Sequence, residues 1–486
     1  MRDNYRFTKI VATIGPATES EERLGQLITA GVDVIRLNMA HGTGEWVQGL
    51  VKRIREVSNR IGRQVAVMMD VKGPEIRTGV VEEPIELKVG DAFEFYTATP
   101  STGLRGVGVN YPGLPDDVEV GSTVLVDSGL IRLEVVDKDA THVRCRVLTP
   151  GKLGSRRHVN LPGVEVNLPA LTEKDERDVR AGVAAGIDFV ALSFVRKSED
   201  IVALQSLLKR LGSRARIIAK IEDQSGLRNL HDIIRAADAV MVARGDLGIE
   251  IDYHTLPLVQ TRIVDLCLAE GKPVIIATHL LESMILAPMP TRAEISDVST
   301  AVRERADAVM LSGETTTGLY PLECVDVMKN IIRSIEPTER RGINDTIQLR
   351  EPKTKMLRSA AALAQELGRS GIVVFTRSGF LGHKLAALRA VGVPLYAFTD
   401  DEVVFRQLLL AWGVEPFLMP FSTDPEETIQ SALAYLKRAE WCDDCTWLVF
   451  ITNALAHGRV IDTLQIRQID RGGPVSASGP PSAGGV

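Results

Sequence analysis

Aromatic residues are scarce, at 5% of the chain, which leaves too few rings for a stacking platform under single-stranded nucleic acid. Positive charge is not in surplus either: Lys plus Arg number 57 against 63 Asp plus Glu, a formal net charge of −6. A general nucleic-acid binder needs a basic surface to displace counterions, so that class is excluded. Five cysteines in 486 residues do not make a disulfide framework and predict a reducing compartment. No stretch reaches the roughly 18 uninterrupted apolar residues of a membrane-spanning helix. The opening MRDNYRFTKIVATIG lacks the apolar core of a secretory leader. The expectation is a cytoplasmic protein with neither a membrane nor nucleic acid among its partners. A Walker-type G-x-x-x-x-G-K-[ST] and a protein-kinase glycine loop are also missing, so any nucleotide chemistry must use another construction.

What is present is ordinary globular material, 45% hydrophobic and 25% charged, long enough for about three domains. Short β-branched runs recur at residues 8–15, 32–38, 64–70, 187–194, 215–222, 239–246, 273–279 and 308–315. Most are near-continuous apolar segments, as parallel strands buried on both faces require. Amphipathic stretches such as 19–30, 172–185 and 198–211 lie between them. Eight strands alternating with helices predict a closed (β/α)8 TIM barrel.

One connection is far too long for a barrel loop, which usually has roughly 2–6 residues. Residues 73–169 carry their own strand-like runs at 92–97, 123–126, 130–136 and 142–148, separated by Gly, Pro and Asp. They predict a small β-barrel lid domain inserted at the C-terminal end of a strand, over the barrel mouth. The barrel domain is therefore split into residues 1–72 and 170–337. A polar link leads to a second α/β pattern over 338–470, with strands near 371–376, 394–398, 414–418 and 446–452. It predicts a doubly wound α/β domain. Residues 471–486, rich in Gly, Pro and Ser, predict a disordered tail.

A barrel of this kind places chemistry at the C-terminal ends of its strands. Those ends carry Arg36, Asn38, Asp70, Ser193, Lys220, Glu222, Arg244, Asp246, Thr278 and Glu314. Lys220/Glu222, Arg244/Asp246 and Arg36/Asn38 are spaced i, i+2, so each pair faces one side of its strand. Glu222 and Asp246 end consecutive strands, and two carboxylates with room for water and substrate oxygens suit Mg²⁺. The bland alternative is that they only neutralise Lys220 and Arg244. Lys220, Arg36, Lys72 and Arg77 make the mouth positive, which selects a phosphate or carboxylate substrate. In the lid, GSRRHVNLPG (154–163) offers Arg156 and Arg157 to phosphates, or is simply a solvated turn.

Nine strings in order identify a family: KIVATIGPAT (9–18), RLNMAHG (36–42), DVKGPEIRTG (70–79), SFVRK (193–197), KIED (220–223), MVARGDLG (241–248), ATHLLESM (277–284), PTRAEISDV (290–298) and LSGET (311–315). They closely resemble pyruvate kinase. The resemblance implies transfer of the phosphoryl group of phosphoenolpyruvate to ADP, giving pyruvate and ATP. Lys220 matches the lysine that bridges the phosphate in flight, with Arg36 and Arg77 as further cations near it. Glu222 and Asp246 match the ligands of a divalent ion, Mg²⁺ or Mn²⁺. Thr278 matches the hydroxyl near the enolate methylene. Ala243, Arg244, Gly245 and Asp246 match the cradle of the substrate carboxylate. Asn38, His41 and Arg157, with Arg36, match groups near the nucleotide phosphates.

The same resemblance implies a K⁺ site from Asn38, a serine hydroxyl, Asp70 and the carbonyl of the following residue. Ala40 stands where the serine would be, and Val71 replaces the usual threonine while keeping its carbonyl. Glu75 is of the kind found in potassium-dependent members. The expectation is K⁺ binding with water in place of the hydroxyl. His279 follows Thr278 where glutamine is usual, and is read as a hydrogen-bonding imidazole or a proton relay. In the last domain TRSGFLG (376–382) occupies a strand-to-helix turn where relatives hold an effector phosphate. Thr376, Arg377, Ser378, Gly379 and Gly382 are the candidates for a sugar-phosphate or nucleotide effector, although Leu381 replaces a usual hydroxyl. Cys442 and Cys445 form an isolated C-D-D-C without further zinc ligands nearby, and residues 453–459 read as a plain loop before the final strand or as an effector contact. The family implies a homotetramer. Two rival readings are a catalytically silent homologue that senses phosphorylated metabolites and a phosphoenolpyruvate- or pyruvate-type barrel lyase.

Overall fold

Eight short strands, almost every residue of them buried, form the centre of the first domain: β1 (Lys9–Thr13), β2 (Val34–Asn38), β3 (Ala66–Val71), β4 (Phe189–Leu192), β5 (Arg216–Ile221), β6 (Ala239–Ala243), β7 (Val274–Ala277) and β8 (Ala308–Leu311). In this computed structural model, which describes residues 5–101, 103–338, 342–349, 351–442, 446–456 and 459–469, each strand pairs in parallel with its neighbours in sequence. β1 closes the ring on β8. Seven of the eight predicted runs contain a barrel strand, and the run 64–70 covers β3 up to Asp70, one residue short of Val71.

The two-residue period of a strand explains the division of the core. In β3, Ala66 and Met68 point into the barrel with Val11, Val34, Phe189, Ile218 and Met241. Val67 and Met69 point outward, against the helices. The helices start where the sequence signals a cap. Thr172 and Thr291 form capping boxes with Asp175 and Glu294, each such cap contributing about 1 kcal/mol.

The inserted domain is a six-stranded sheet with a two-stranded ribbon beside it. Its edge strands are Gly106–Gly108 and Val159–Asn160. Both edges meet one segment: Arg77 bridges to His158 and Thr78 to Val109. The sheet thereby curls into a small barrel around Phe93, Phe95, Leu133 and Val143.

The last domain is a five-stranded sheet of β9 (Ser370–Phe375), β10 (Leu395–Thr399), β11 (Val414–Leu418), β12 (Trp447–Ala456) and β13 (Arg459–Gln468), in the order β11-β10-β9-β12-β13. Residues 453–456, expected as loop, belong to β12, because β13 returns antiparallel and pairs them up to Ala456–Arg459. Cys442 is buried. Cys445 and the tail from 471 lie outside the described residues. The domain docks under the N-terminal end of the barrel. Leu409 and Leu410 plug the barrel interior, Lys9 Nζ donates to Val414 O at 2.7 Å, and Arg389 pairs with Asp307. The C-terminal end of the barrel faces away from this domain and toward the lid. Among the described residues no helix is long and apolar enough to cross a membrane.

Candidate active site

Lys220, on β5, is 8% exposed, and its ammonium is held by three oxygens: Asp70 Oδ1 at 3.1 Å, Ser193 Oγ at 2.7 Å and Glu222 Oε1 at 2.9 Å. β3, β4 and β5 are consecutive in the ring, so their C-terminal ends bring these groups together. Asp70 also accepts from Arg36 Nε at 2.7 Å, and Arg36 reaches on to Thr13 Oγ1 at 3.0 Å. Glu222 accepts from the Phe194 N–H at 2.7 Å.

Burial drives the ionisation of this cluster. It pushes the Asp70 carboxyl up, but Lys220 and Arg36 outweigh it and hold Asp70 below the usual range. Burial would also strip the proton from Lys220, yet Asp70 and Glu222 hold that ammonium above an ordinary lysine. For Glu222 burial wins, and with nearby Asp246 it raises the carboxyl to about 7 in spite of Lys220. Two cations and two buried carboxylates therefore balance at the mouth, with one carboxylate poised near neutrality.

Asp246 lies at the start of the helix Arg244–Glu250, after β6, and makes no ion pair with a described residue. It does not neutralise Arg244. Arg244 turns away and pairs with Asp297 at 2.7 Å, while its Nη2 donates to Thr278 O at 2.6 Å. Glu222 and Asp246 thus remain a pair of hard oxygen donors, and no larger cluster of metal-ligating side chains occurs among the described residues. One or two carboxylates completed by water and substrate oxygens is the preference of Mg²⁺. The donor set fits.

Thr278 and His279, just past β7, both have left-handed backbone, with φ of 66° and 57°. For a β-branched residue this is a true outlier, costing on the order of 1–3 kcal/mol. It persists because Arg244 fixes the Thr278 carbonyl, while the Thr278 hydroxyl donates to Ala277 O at 2.7 Å and accepts from Gly245 N at 2.8 Å. His279 is exposed and lies 3.7 Å from Glu282.

The remaining candidates are placed as follows. Asn38 and Asp70 are direct neighbours across β2 and β3. Asn38 Oδ1 accepts from Ala40 N at 3.1 Å, and Val71 O accepts from Ser193 Oγ at 2.8 Å. His41 is exposed. Glu75 pairs with Lys72 at 3.0 Å and with Arg77 at 2.6 Å. In the lid, Arg77 Nη1 donates to Arg156 O at 2.8 Å, and Arg157 reaches Asp127 at 3.2 Å. The 376–382 turn lies far from this cluster, in the last domain. Thr376 is buried, Arg377 pairs with Asp400 at 3.1 Å, and the Ser378 carbonyl accepts from Arg216. Gly379 has a left-handed φ of 78° and opens the helix Phe380–Ala387. Gly382 faces Leu408 inside the domain, where a Cβ would come within 2.7 Å.

Sequence reasoning named Ser193 only as a strand end and did not single out Thr13 or Asp297. Ser193 sits within the SFVRK string and Asp297 within PTRAEISDV, so the strings were a signal. Nothing in their spacing says that one buttresses Lys220 and the other Arg244.

Comparison with known proteins agrees with this geometry. The family "Pyruvate kinase, barrel domain" matches residues 5–325, and "Pyruvate kinase, alpha/beta domain" matches residues 354–466. The chain is 44% identical over 437 residues to pyruvate kinase of Geobacillus stearothermophilus, covering 88% of this chain and 74% of that protein. It is 41% identical over 435 residues to plastidial pyruvate kinase 2 of Arabidopsis thaliana, covering 89% and 75%. A crystal structure of a pyruvate kinase from Cryptosporidium parvum superposes with a TM-score of 0.89 at 32% identity, covering 96% of each chain. On these matches over both domains, the chain belongs to the pyruvate kinase family.

Proposed function

We propose that the barrel mouth transfers the phosphoryl group of phosphoenolpyruvate to ADP, giving pyruvate and ATP. The observation that carries this reading is Lys220, a buried ammonium fixed on Asp70, Glu222 and Ser193 beside Asp246, which has no ion pair among the described residues. A cation held in place before the reaction stabilises charge on the transferring oxygens without reorganising during the step. Arg36 and Arg77 add positive charge on the same side, and Asn38, His41 and Arg157 approach the nucleotide phosphates. Glu222 and Asp246 would hold Mg²⁺ or Mn²⁺, which supplies Lewis-acid polarisation of substrate oxygens when bound. The turn from Ala243 through Arg244 and Gly245 to Asp246 cradles the substrate carboxylate. Thr278, anchored by Arg244, holds the water that delivers a proton to the enolate, since a threonine hydroxyl is too weak an acid alone.

Members of this family in general use a divalent metal and potassium. For this chain we assign K⁺ to Asn38, Asp70 and the Val71 carbonyl, with water where Ala40 replaces a hydroxyl. A cytoplasmic homotetramer with an anionic effector, a sugar phosphate or a nucleotide, on the turn from Thr376 to Gly379 completes the reading. The domain limits at 72/73, 169/170 and 337/338 belong to the same reading. The silent-sensor and lyase alternatives are not favoured, because both leave the Lys220 cluster and the lid without a task.

The test is pyruvate formation from phosphoenolpyruvate and ADP with Mg²⁺, in K⁺ and in tetramethylammonium at equal ionic strength. Activity in K⁺ alone is expected. Equal activity in both would remove the K⁺ assignment, and no activity in either, with the protein folded and effectors screened, would remove the reaction.

A further inference from the structure

The two chain crossings of the lid are tied to the barrel, Arg196 donating to Val166 O at 2.9 Å and Leu168 O at 2.6 Å and the Gly73 N–H donating to Asp175 at 3.1 Å, but between the crossings polar ties are few. Among the described residues, the only side-chain hydrogen bond from lid residues 76–162 to the barrel runs from Asn160 Nδ2 to Glu250 Oε1, at 2.8 Å. Both ends are buried, at 5% and 8% exposure. Asn160 ends the edge strand Val159–Asn160 and follows closely on Arg156 and Arg157. Glu250 ends the helix that begins at Arg244 and carries Asp246. Its carbonyl accepts from Gln224 Nε2 at 2.5 Å, two residues after Glu222. One contact therefore reaches the lid's arginine loop on one side and both candidate metal carboxylates on the other.

A cavity beside that contact leaves it room to open. Asn160 and Glu250 line a cavity of about 60 Å³ between lid and barrel, with Ile76, His158, Phe194 and Asp223. Asn160 Oδ1 has no hydrogen-bond partner there, so the amide is held from one end only. A hydrogen bond to a buried carboxylate is among the stronger ones, about 1.5–3 kcal/mol.

From this geometry we infer that Asn160 and Glu250 are positioning residues that latch the lid to the helix of Asp246 and thereby set how closely the Arg156–Arg157 loop approaches the nucleotide. The inference rests on the nucleotide reading given above. It is specific in one respect: phosphoenolpyruvate sits at the barrel mouth, so the latch governs the nucleotide and leaves the other substrate alone.

The experiment compares the full-length wild type with Asn160→Ala, Asn160→Asp and the exchange variant Asn160→Asp/Glu250→Gln. The exchange reverses the donor and acceptor and keeps one amide and one carboxylate. In Asn160→Ala, KM for ADP should rise about tenfold, as loss of such a bond gives, with KM for phosphoenolpyruvate unchanged. Hydrogen exchange should quicken at lid amides 156–161 and not in β3 to β6. Asn160→Asp, which sets two carboxylates together, should be worse on both readouts, and the exchange variant should return both toward wild type. The latch is overturned if Asn160→Ala leaves lid exchange and KM for ADP unchanged. It is equally overturned if both substrates' KM values rise together, or if a folded exchange variant fails to restore them. A wild type that does not use ADP would end the nucleotide reading, while lid exchange would still report whether the latch exists.

Discussion

Replacing Lys220 by methionine keeps the length of the side chain and removes the charge. The structure says what remains: Asp70 still has Arg36 at 2.7 Å, and Glu222 keeps only the Phe194 N–H at 2.7 Å. Leaving a buried carboxylate without its cation costs about 3–5 kcal/mol. Glu222 has an escape, because its carboxyl already stands at about 7 and rises further without Lys220. The folded variant then binds a proton that the unfolded chain does not, so its stability is greatest at low pH and falls as pH rises toward the new value. At about 1.4 kcal/mol per proton and pH unit, the variant loses about 2.7 kcal/mol between pH 6 and pH 8 while wild type, with Glu222 at about 7, loses about half of that, so the deficit should widen by roughly 1–1.5 kcal/mol. Urea unfolding of both proteins at the two pH values, without divalent metal, measures it. Turnover should fall by at least about 10²–10³-fold, the usual loss for one preorganised charge stabiliser. Binding of Mn²⁺ to Glu222 and Asp246 should persist, as titration calorimetry at pH 8 would detect. Near-normal turnover, or a stability deficit that does not change with pH, would refute the reasoning.

Two further outcomes follow from the contacts described. Asp297→Ala removes the carboxylate partner of Arg244 and loosens the strained Thr278 turn. Because Asp297 is 35% exposed, solvent limits the stability loss to about 1 kcal/mol. The rate constant kcat should drop with KM for ADP unchanged, and the reverse pattern in steady-state kinetics would refute this role. Arg389→Met breaks the buried pair with Asp307 between barrel and last domain, where Arg389 is 1% exposed and also packs over Trp412. A loss of about 3–5 kcal/mol in urea unfolding is expected, whereas a loss under about 1 kcal/mol would mean the docking does not depend on this pair.

Much of the fold is legible because burial on both faces forces a strand to be apolar throughout, and eight such runs need no partner information to be seen. The long insertion was equally plain, since a hundred residues do not fit a barrel loop. What closes the lid was not legible: Arg77 and Thr78 form single bridges to two separate edges, too short to leave a periodic trace. Residues 453–456 read as loop because a hairpin strand is fixed by its partner's hydrogen bonds, and β13 supplies them from beyond the turn. Lys220, Glu222, Asp246 and Thr278 were visible as polar ends of apolar strands, but their partners were not.

The sequence by itself determined the strand count, the insertion, the positive mouth and the pair of carboxylates, because each follows from local composition and a two-residue period. Only the tertiary structure decided which charge meets which. Arg244, two residues from Asp246, could have neutralised it, yet the fold turns Arg244 to Asp297 at 2.7 Å and leaves Asp246 without an ion pair among the described residues. Leu409 and Leu410, unremarkable in a helix-end loop, plug a barrel whose last strand lies about a hundred residues earlier. Asn160 finds Glu250 across 90 residues. Such pairings are set by the closure of the barrel and the curl of the lid, and no local pattern encodes them.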